Sequence, residues 1–334
     1  HKATQTYSLP VTASWELDVF GRMRNAKKQS KALYAQSQDY RQAVRTQLIA
    51  GIANTYYTLL MLDQQLAISR QTEETWRETV ASTRALMNAG MANESAVSQM
   101  EATYYQVQTS VLDLEEQINQ VENSLALLLA ETPRHYERGV LAEQQFPVGF
   151  SIGIPVQMLS CRPDVRSAER TLEAAFYGTY PSITLGGSAG WTNSAGSMIV
   201  NPGKFLASAV GSLTQPLFAR GQVIAQYRIA RAQQEEASLA FQQTLLNAGS
   251  EVNDALTAWQ TSLSKSELLD KQVASLQTAA RSTSLLMEHG NTTYLEVLTA
   301  RQTLLNAQLA QTANRFSEIQ SLINLYKALG GGQE

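Results

Sequence analysis

The chain has 334 residues, longer than most single domains, so its length allows two domains or one extended body. Charged residues make up only 16% and hydrophobic residues 44%, with neutral polar residues filling the gap, and the formal net charge is −3. That balance excludes the basic excess expected of a nucleic-acid binder. The single cysteine, Cys161, cannot form an internal disulfide. With three scattered histidines, His1, His135 and His289, it gives no zinc-ligand spacing, and neither a metal site nor a cofactor is expected. No run approaches the roughly 18 apolar residues of a membrane helix, so a bilayer-spanning part must consist of strands. Lys2, Ala3 and Thr4 have the character of mid-strand residues and not of a signal peptide, and the natural start is expected upstream of His1.

In chain order, Thr4–Phe20 alternates Tyr7, Leu9, Val11, Ala13, Trp15, Leu17 and Val19 with mostly polar residues, which predicts a strand closed by Gly21. Arg22, Arg24, Lys27, Lys28 and Lys31 follow. Without interleaved aromatics, they suit a solvated helix start or a headgroup contact better than a nucleic-acid patch. Helical sequence runs from Arg22 to about Asn88, roughly 100 Å at about 1.5 Å per residue, too long to fold back into a ball. Gly90 suits the left-handed end of a helix, and a second helix is predicted over 93–131. The middle of the chain holds most of the prolines and glycines. It carries two further strands, Ser182–Thr192 and Phe205–Phe218, joined by the polar loop Asn193–Gly203. Gly221 then opens a helix over Gln222–Glu288, Gly290 ends it, and a last helix covers 292–329.

The two flanks form an internal repeat. Neither 11–132 nor 217–334 contains proline, and Ser82, Thr83, Leu86, Met87 and Gly90 recur 200 residues later as Ser282, Thr283, Leu286, Met287 and Gly290. Each repeat predicts strand, glycine, very long helix, glycine turn and shorter helix. On the long helices, apolar residues such as Leu59, Leu60, Leu62, Leu66 and Ile68 are not confined to one stripe. A helix in the wall of a hollow tube has this pattern. A coiled coil would keep strict heptads, which fail here after about three repeats. The strands suit a membrane barrel with a wet lumen and a half-exposed soluble sheet equally well.

Few motifs point to bond chemistry. Gly186-Gly-Ser-Ala-Gly190 matches a nucleophile elbow around Ser188, but strand or loop sequence follows where a helix is needed. Gly203-Lys204 lacks the rest of a phosphate loop, with Met198 and Phe205 at the required positions. Glu94, Glu101 and Glu296, just beyond the glycine turns, suit exposed helix starts. Ringing the mouth of a tube, the same acids would select cations.

Ile154-Pro155 with Leu159, then Arg162-Pro163-Asp164-Val165, Ala168-Glu169 and Leu172, followed by Tyr180-Pro181-Ser182-Ile183-Thr184-Leu185, closely resemble the central signature of TolC-like outer membrane efflux proteins, nearest to the NodT-type lipoproteins. Trp15-Glu16-Leu17-Asp18-Val19-Phe20-Gly21-Arg22, Gln215-Pro216-Leu217-Phe218 with Gly221, and Leu325-Tyr326-Lys327-Ala328-Leu329-Gly330-Gly331 extend the resemblance over nearly the whole chain. It implies a mainly α fold with β: a homotrimer whose outer-membrane β-barrel, four strands per protomer, continues into a periplasmic α-helical barrel of long hairpins. On this chain that gives a barrel strand in 1–20, a hairpin in 21–131, a central segment in 132–180, a strand pair in 181–219 and a second hairpin in 220–334.

The implied function is a passive conduit, not an enzyme, for expelling drugs or other small molecules. The implied partners are outer-membrane lipid, a periplasmic adaptor and an inner-membrane pump of RND type. The turns at Asn88, Gly90 and Asn93 and at His289, Gly290, Asn291 and Thr292 become the periplasmic mouth that meets the adaptor. Glu296 falls on one position of the family's acid ring, while Thr299 occupies the other. Met287 and Thr292 replace the tyrosine and basic residue that lock the mouth in some relatives. Three strands are recognisable where the family has four. The family's lipidated cysteine and first strand are expected upstream, and Leu172–Pro181 is about seven residues shorter than the pattern. A soluble fibrous coiled coil with a small β insertion is the alternative reading.

Overall fold

The computed structural model describes residues 7–18, 21–144, 160, 162–176, 183–193, 205–212, 222–289 and 292–331. The elements in order are β1 (Tyr7–Leu17), α1 (Arg22–Asn88), α2 (Glu94–Leu129), α3 (Pro163–Phe176), β2 (Ile183–Asn193), β3 (Phe205–Ser212), α4 (Gln222–Glu288) and α5 (Tyr294–Ala328). A single 3-10 turn lies at Leu141–Glu143. α1 and α4 each have 67 residues, with ends 200 positions apart, and α2 and α5 also start 200 apart. Burial follows the same offset: Val97 and Val297, Val107 and Ala307, and Leu125 and Leu325 are buried pairs. Among the described residues no helix is long and apolar enough to cross a membrane.

Packing divides the chain into two units. The first comprises 1–40 and 164–245. Its sheet is antiparallel in the order β1-β2-β3, running from Tyr7 opposite Asn193 to Leu17 opposite Ile183, and from Thr184 opposite Ser212 to Trp191 opposite Phe205. β1 and β3 are both edges, with no further strand paired to them among the described residues. Val11 and Trp15 on β1 are exposed. The entry into α1 is tightly held. Gly21 has φ +77°, and the Asp18 carboxylate accepts the backbone N–H of Met23 at 2.8 Å and of Arg24 at 3.0 Å, satisfying donors that a helix start leaves free. α3 is tied to α1 by Arg166 to Asp39 at 3.0 Å and by the Gln36 amide to the Thr171 hydroxyl at 2.8 Å.

The second unit comprises 41–163 and 246–334. Its apolar interior is a series of small clusters instead of one core. Leu59 and Leu62 of α1 pack with Ile118 and Leu125 of α2, whereas Leu60 packs with Leu141 and Ile319 of α5. Trp76, Met100, Val107 and Leu305 form a third cluster, and Val252, Ala255, Leu256, Leu325 and Ala328 a fourth. The apolar scatter that the sequence shows on α1 therefore serves two sets of neighbours.

Residues 131–144 are clamped across the first hairpin by Arg138. Its guanidinium, 7% exposed, donates Nε to Asp63 Oδ2 of α1 at 2.5 Å, Nη2 to Asp63 Oδ1 at 3.0 Å and Nη1 to Glu122 Oε1 of α2 at 2.5 Å. His135 adds Nδ1 against the same Glu122 oxygen at 2.7 Å. Further along, Arg315 Nη2 donates to the Gln144 carbonyl at 2.7 Å, fastening the segment to α5. Burial alone would raise the Glu122 carboxyl, but the hydrogen bond and charge of Arg138 outweigh it and hold that carboxyl below its ordinary value.

Two of these features make measurable contributions to stability. Ala130 ends α2 at φ +55°, a left-handed conformation that costs a β-carbon about 1–2 kcal/mol, so Ala130→Gly is expected to stabilise by roughly 0.5–1 kcal/mol, seen as a raised melting temperature. Because Glu122 ionises more readily folded than unfolded, its contribution is full above the ordinary carboxylate range and is lost as pH falls through its lowered native value. Glu122→Gln should cost roughly 1–3 kcal/mol at neutral pH and flatten the acid limb of a melting-temperature profile taken from about pH 7 to about pH 3. An unchanged acid limb would remove Glu122 as its source.

Candidate functional site

The first glycine turn shares a cleft with residues on either side of positions 290–291. After α1, Gly90 at φ +74° allows the Gly90 N–H to reach the Met87 carbonyl and the Met91 N–H the Leu86 carbonyl, both at 2.9 Å. This pair of bonds closes a helix on a left-handed glycine. Asn93 then caps α2, its Oδ1 accepting the Ala96 N–H at 2.8 Å. After α4, His289 is exposed, with Nδ1 2.8 Å from the Leu285 carbonyl. Gly290 and Asn291 lie outside the described residues. Gly90, Met91 and Asn93 line one cleft of about 760 Å³ with His289, Thr292 and Tyr294. Of the residues expected at the mouth, Gly90, Asn93, His289 and Thr292 thus share a surface, and Asn88 is the last residue of α1.

Glu296 sits in the first turn of α5 and is exposed. Its carboxylate accepts the Thr292 hydroxyl and, at 3.4 Å, the Thr293 hydroxyl, so it braces its own turn as well as facing water. The repeat-related position in the first hairpin carries no acid, because residue 96 is Ala96 and it is buried. Glu94 opens α2, and Glu101, about two turns further along it, pairs with Arg84 of α1.

The same offset turns that ion pair into a different device in the second repeat. Ser284 and Arg301 stand where Arg84 and Glu101 stand in the first. Arg301 Nη2 donates to Ser284 Oγ at 3.1 Å, while Nη1 reaches across to α1, donating to the Thr79 hydroxyl and to the Thr75 carbonyl at 3.3 Å. Its guanidinium carbon lies 5.9 Å from the centre of the buried Trp76 ring. Burial lowers the Arg301 value, the Glu78 charge opposing this only in part. Sequence reasoning missed Arg301, whose role shows only once the two repeats are superposed position by position.

The Arg162-Pro163-Asp164 signature is structural. Pro163 takes the first position of α3, where its missing N–H costs nothing. Asp164 Oδ1 accepts the Val165 N–H at 2.9 Å. Arg162 is buried, donating Nη1 to the Ala328 carbonyl at 3.0 Å and Nη2 to Glu251 of α4 at 2.8 Å. A cation at the last carbonyls of α5 meets the negative end of that helix.

Ser188 lies in the middle of β2, opposite Thr12 and Ser208, with strand on both sides. A nucleophile elbow requires a sharp strand-to-helix turn there, so the hydrolase geometry is absent at Ser188.

A family model described as outer membrane efflux protein matches residues 1–131 and 154–331. The cation efflux system protein CusC of Escherichia coli is 28% identical over 98% of this chain and 74% of its own length. The toluene efflux pump outer membrane protein TtgC of Pseudomonas putida is also 28% identical, over 98% of this chain and 70% of its own. A crystal structure of CusC superposes with TM-score 0.90 at 26% identity, covering 98% of this chain and 79% of that one. The open state of the Neisseria gonorrhoeae MtrE outer membrane channel shares the fold, with TM-score 0.83 at 24% identity over 99% of this chain and 80% of that one. These likenesses favour the channel over the fibrous coiled coil. The chain belongs to the outer membrane efflux protein family, and is an outer-membrane efflux channel protein and not an enzyme.

Proposed function

We propose that three copies of this chain close into one passive conduit, the outer-membrane part of a tripartite system with a periplasmic adaptor and an inner-membrane pump of RND type. Residues 1–20 and 181–219 contribute to the barrel, 21–131 and 220–334 form the two tunnel hairpins, and 132–180 brace them. The turns around Asn88, Gly90 and Asn93 and around His289, Gly290, Asn291 and Thr292 form the mouth that meets the adaptor. Small molecules pass outward, and the names of the relatives, a cation efflux protein and a toluene efflux protein, fit a conduit of broad tolerance.

The observation that carries this reading is how much of a single copy is left open. The sheet ends in two edges with no partner strand among the described residues, and an unpaired edge is a ready template for another chain. Leu48 on α1 and Leu246 on α4 are exposed, as are Tyr34, Tyr40, Tyr227 and Leu239. Large apolar side chains repeated along the long helices call for lateral neighbours. Closure by identical copies supplies those neighbours and pairs both sheet edges at once.

Single-particle electron microscopy of the detergent-extracted protein is expected to show a hollow three-fold tube, whereas a solid rod or a monomer would refute the assembly. Three copies of Glu296 would narrow and charge the mouth. Glu296→Gln should weaken block of bilayer conductance by divalent cations several-fold while the assembly stays intact. Loss of assembly, or unchanged block, would assign Glu296 to turn bracing alone.

A further inference from the structure

In two helices the first charged side chains are cations. The N-terminus of a helix is partially positive and favours acids over cations. α2, α3 and α5 comply, with Glu94, Asp164 and Glu296 in their first turns. α1 and α4 have no acid in the first turn. α1 opens instead with Arg22, Arg24, Lys27, Lys28 and Lys31, all exposed, and its first acid is Asp39. Positions 24, 27, 28 and 31 follow the i, i+3, i+4, i+7 spacing that places residues on one face, so four cations form a stripe about 10 Å long. Asp18, whose carboxylate caps α1, is 3.1 Å from Arg24 at the head of this stripe.

The repeat preserves part of the pattern. Arg228 and Arg231 occupy the positions of Lys28 and Lys31, are likewise exposed, and precede the first acid of α4, Glu235. α1 and α4 are also the two helices that follow strands: β1 ends at Leu17, shortly before α1 begins at Arg22, and β3 is the element before α4. Trp15 and Val11, exposed on β1, give the strand an apolar, aromatic surface just ahead of the cations. Within α1 and α4, the two helices that follow strands, the first charged side chain is a cation, whereas within α2, α3 and α5 it is an acid. That placement suits a negative partner outside the chain.

We propose that the stripe Arg24, Lys27, Lys28 and Lys31, together with Arg228 and Arg231, binds the phosphate headgroups of anionic lipid where the strands leave the membrane, and so fixes the depth at which the channel sits. The proposal rests on the membrane-spanning reading of the sheet. Polybasic segments beside a membrane gain affinity for anionic lipid with each added cation, about fivefold per Lys or Arg near the surface. A protein partner with an acidic face is the competing kind of occupant, and it would show no preference among lipids.

The test is a lipid competition. The intact assembly is reconstituted into nanodiscs of mixed phosphatidylglycerol and phosphatidylcholine, and the lipids retained on mild detergent extraction are counted by mass spectrometry. Wild type is expected to retain phosphatidylglycerol about fivefold or more above its share of the bilayer, a preference that falls as salt rises. K27Q/K28Q/K31Q combined with R228Q/R231Q should bring the ratio close to that of the bilayer, while K27R/K28R/K31R keeps it. Equal retention of the two lipids by wild type, or a preference unchanged in the glutamine variant, overturns the proposal. The salt dependence of wild type decides the matter should the glutamine variant fail to fold, since a salt-independent preference is not headgroup pairing. Failure of wild type to enter nanodiscs at all would instead overturn the membrane reading of the strands.

Discussion

Leu59 and Leu60 are neighbours in the chain, yet one packs on α2 and the other on α5 and Leu141. That division expresses the constraint on which the rest of the fold depends: most of the stability of a helix in a protein comes from packing, so one of 67 residues must be held from the side along its length. Holding it from two sides breaks up the single broad stripe that a helix on a globule would carry. The interior then becomes a string of small clusters, each tying a different combination of helices. Polar clamps fill the intervals. Arg138, Arg162, Arg301 and Arg315 each join segments distant in sequence, using a planar, always-charged fork that reaches more than one acceptor at once: carboxylates for Arg138, a carboxylate and a carbonyl for Arg162 and Arg315, hydroxyls and a carbonyl for Arg301.

The repeats share backbone design and differ in chemistry. Several buried positions recur at the 200-residue offset, Val97 and Val297 and Leu125 and Leu325 among them, because the two hairpins close in the same way. Polar positions do not. Arg84 and Glu101 neutralise one another within the first hairpin, whereas Arg301 binds hydroxyls, a carbonyl and the face of Trp76, and it links its helix to the other repeat. The turns differ as well. Asn93 caps α2 with its side chain, while Thr293 makes no such bond to α5 and donates instead toward Glu296.

Much of the backbone was legible in the residues. Gly21 and Gly90 take the left-handed conformation that their places between elements suggested, and α1 and α4 start and end at the expected residues. The strands were legible from alternation, although the stretches Thr4–Phe20, Ser182–Thr192 and Phe205–Phe218 extend beyond the described residues. The shorter helices begin one or two residues later than expected, because Asn93 and Thr293 are capping residues and not helical ones. The clamps were not legible. Arg138 finds Asp63 across 75 residues, and Arg301 finds Thr79 across 222, separations at which no spacing rule operates. Arg162-Pro163-Asp164 was visible as a signature, but the bond from Arg162 to the Ala328 carbonyl at the end of α5 emerges only when the chain is folded.

The open sheet carries a kinetic consequence. β2 has hydrogen-bonding neighbours on both sides, but β1 and β3 each present a row of backbone donors and acceptors with no partner strand among the described residues. In hydrocarbon such groups have no water to turn to, so under the proposed barrel reading a lone copy would face a steep barrier to entering the bilayer. In the proposed assembly of identical copies, insertion and association would then be one event, whose rate would rise more steeply than linearly with the amount of protein at the membrane. Slow synthesis would then lengthen the time each copy spends with exposed edges, which are templates for unwanted pairing and aggregation.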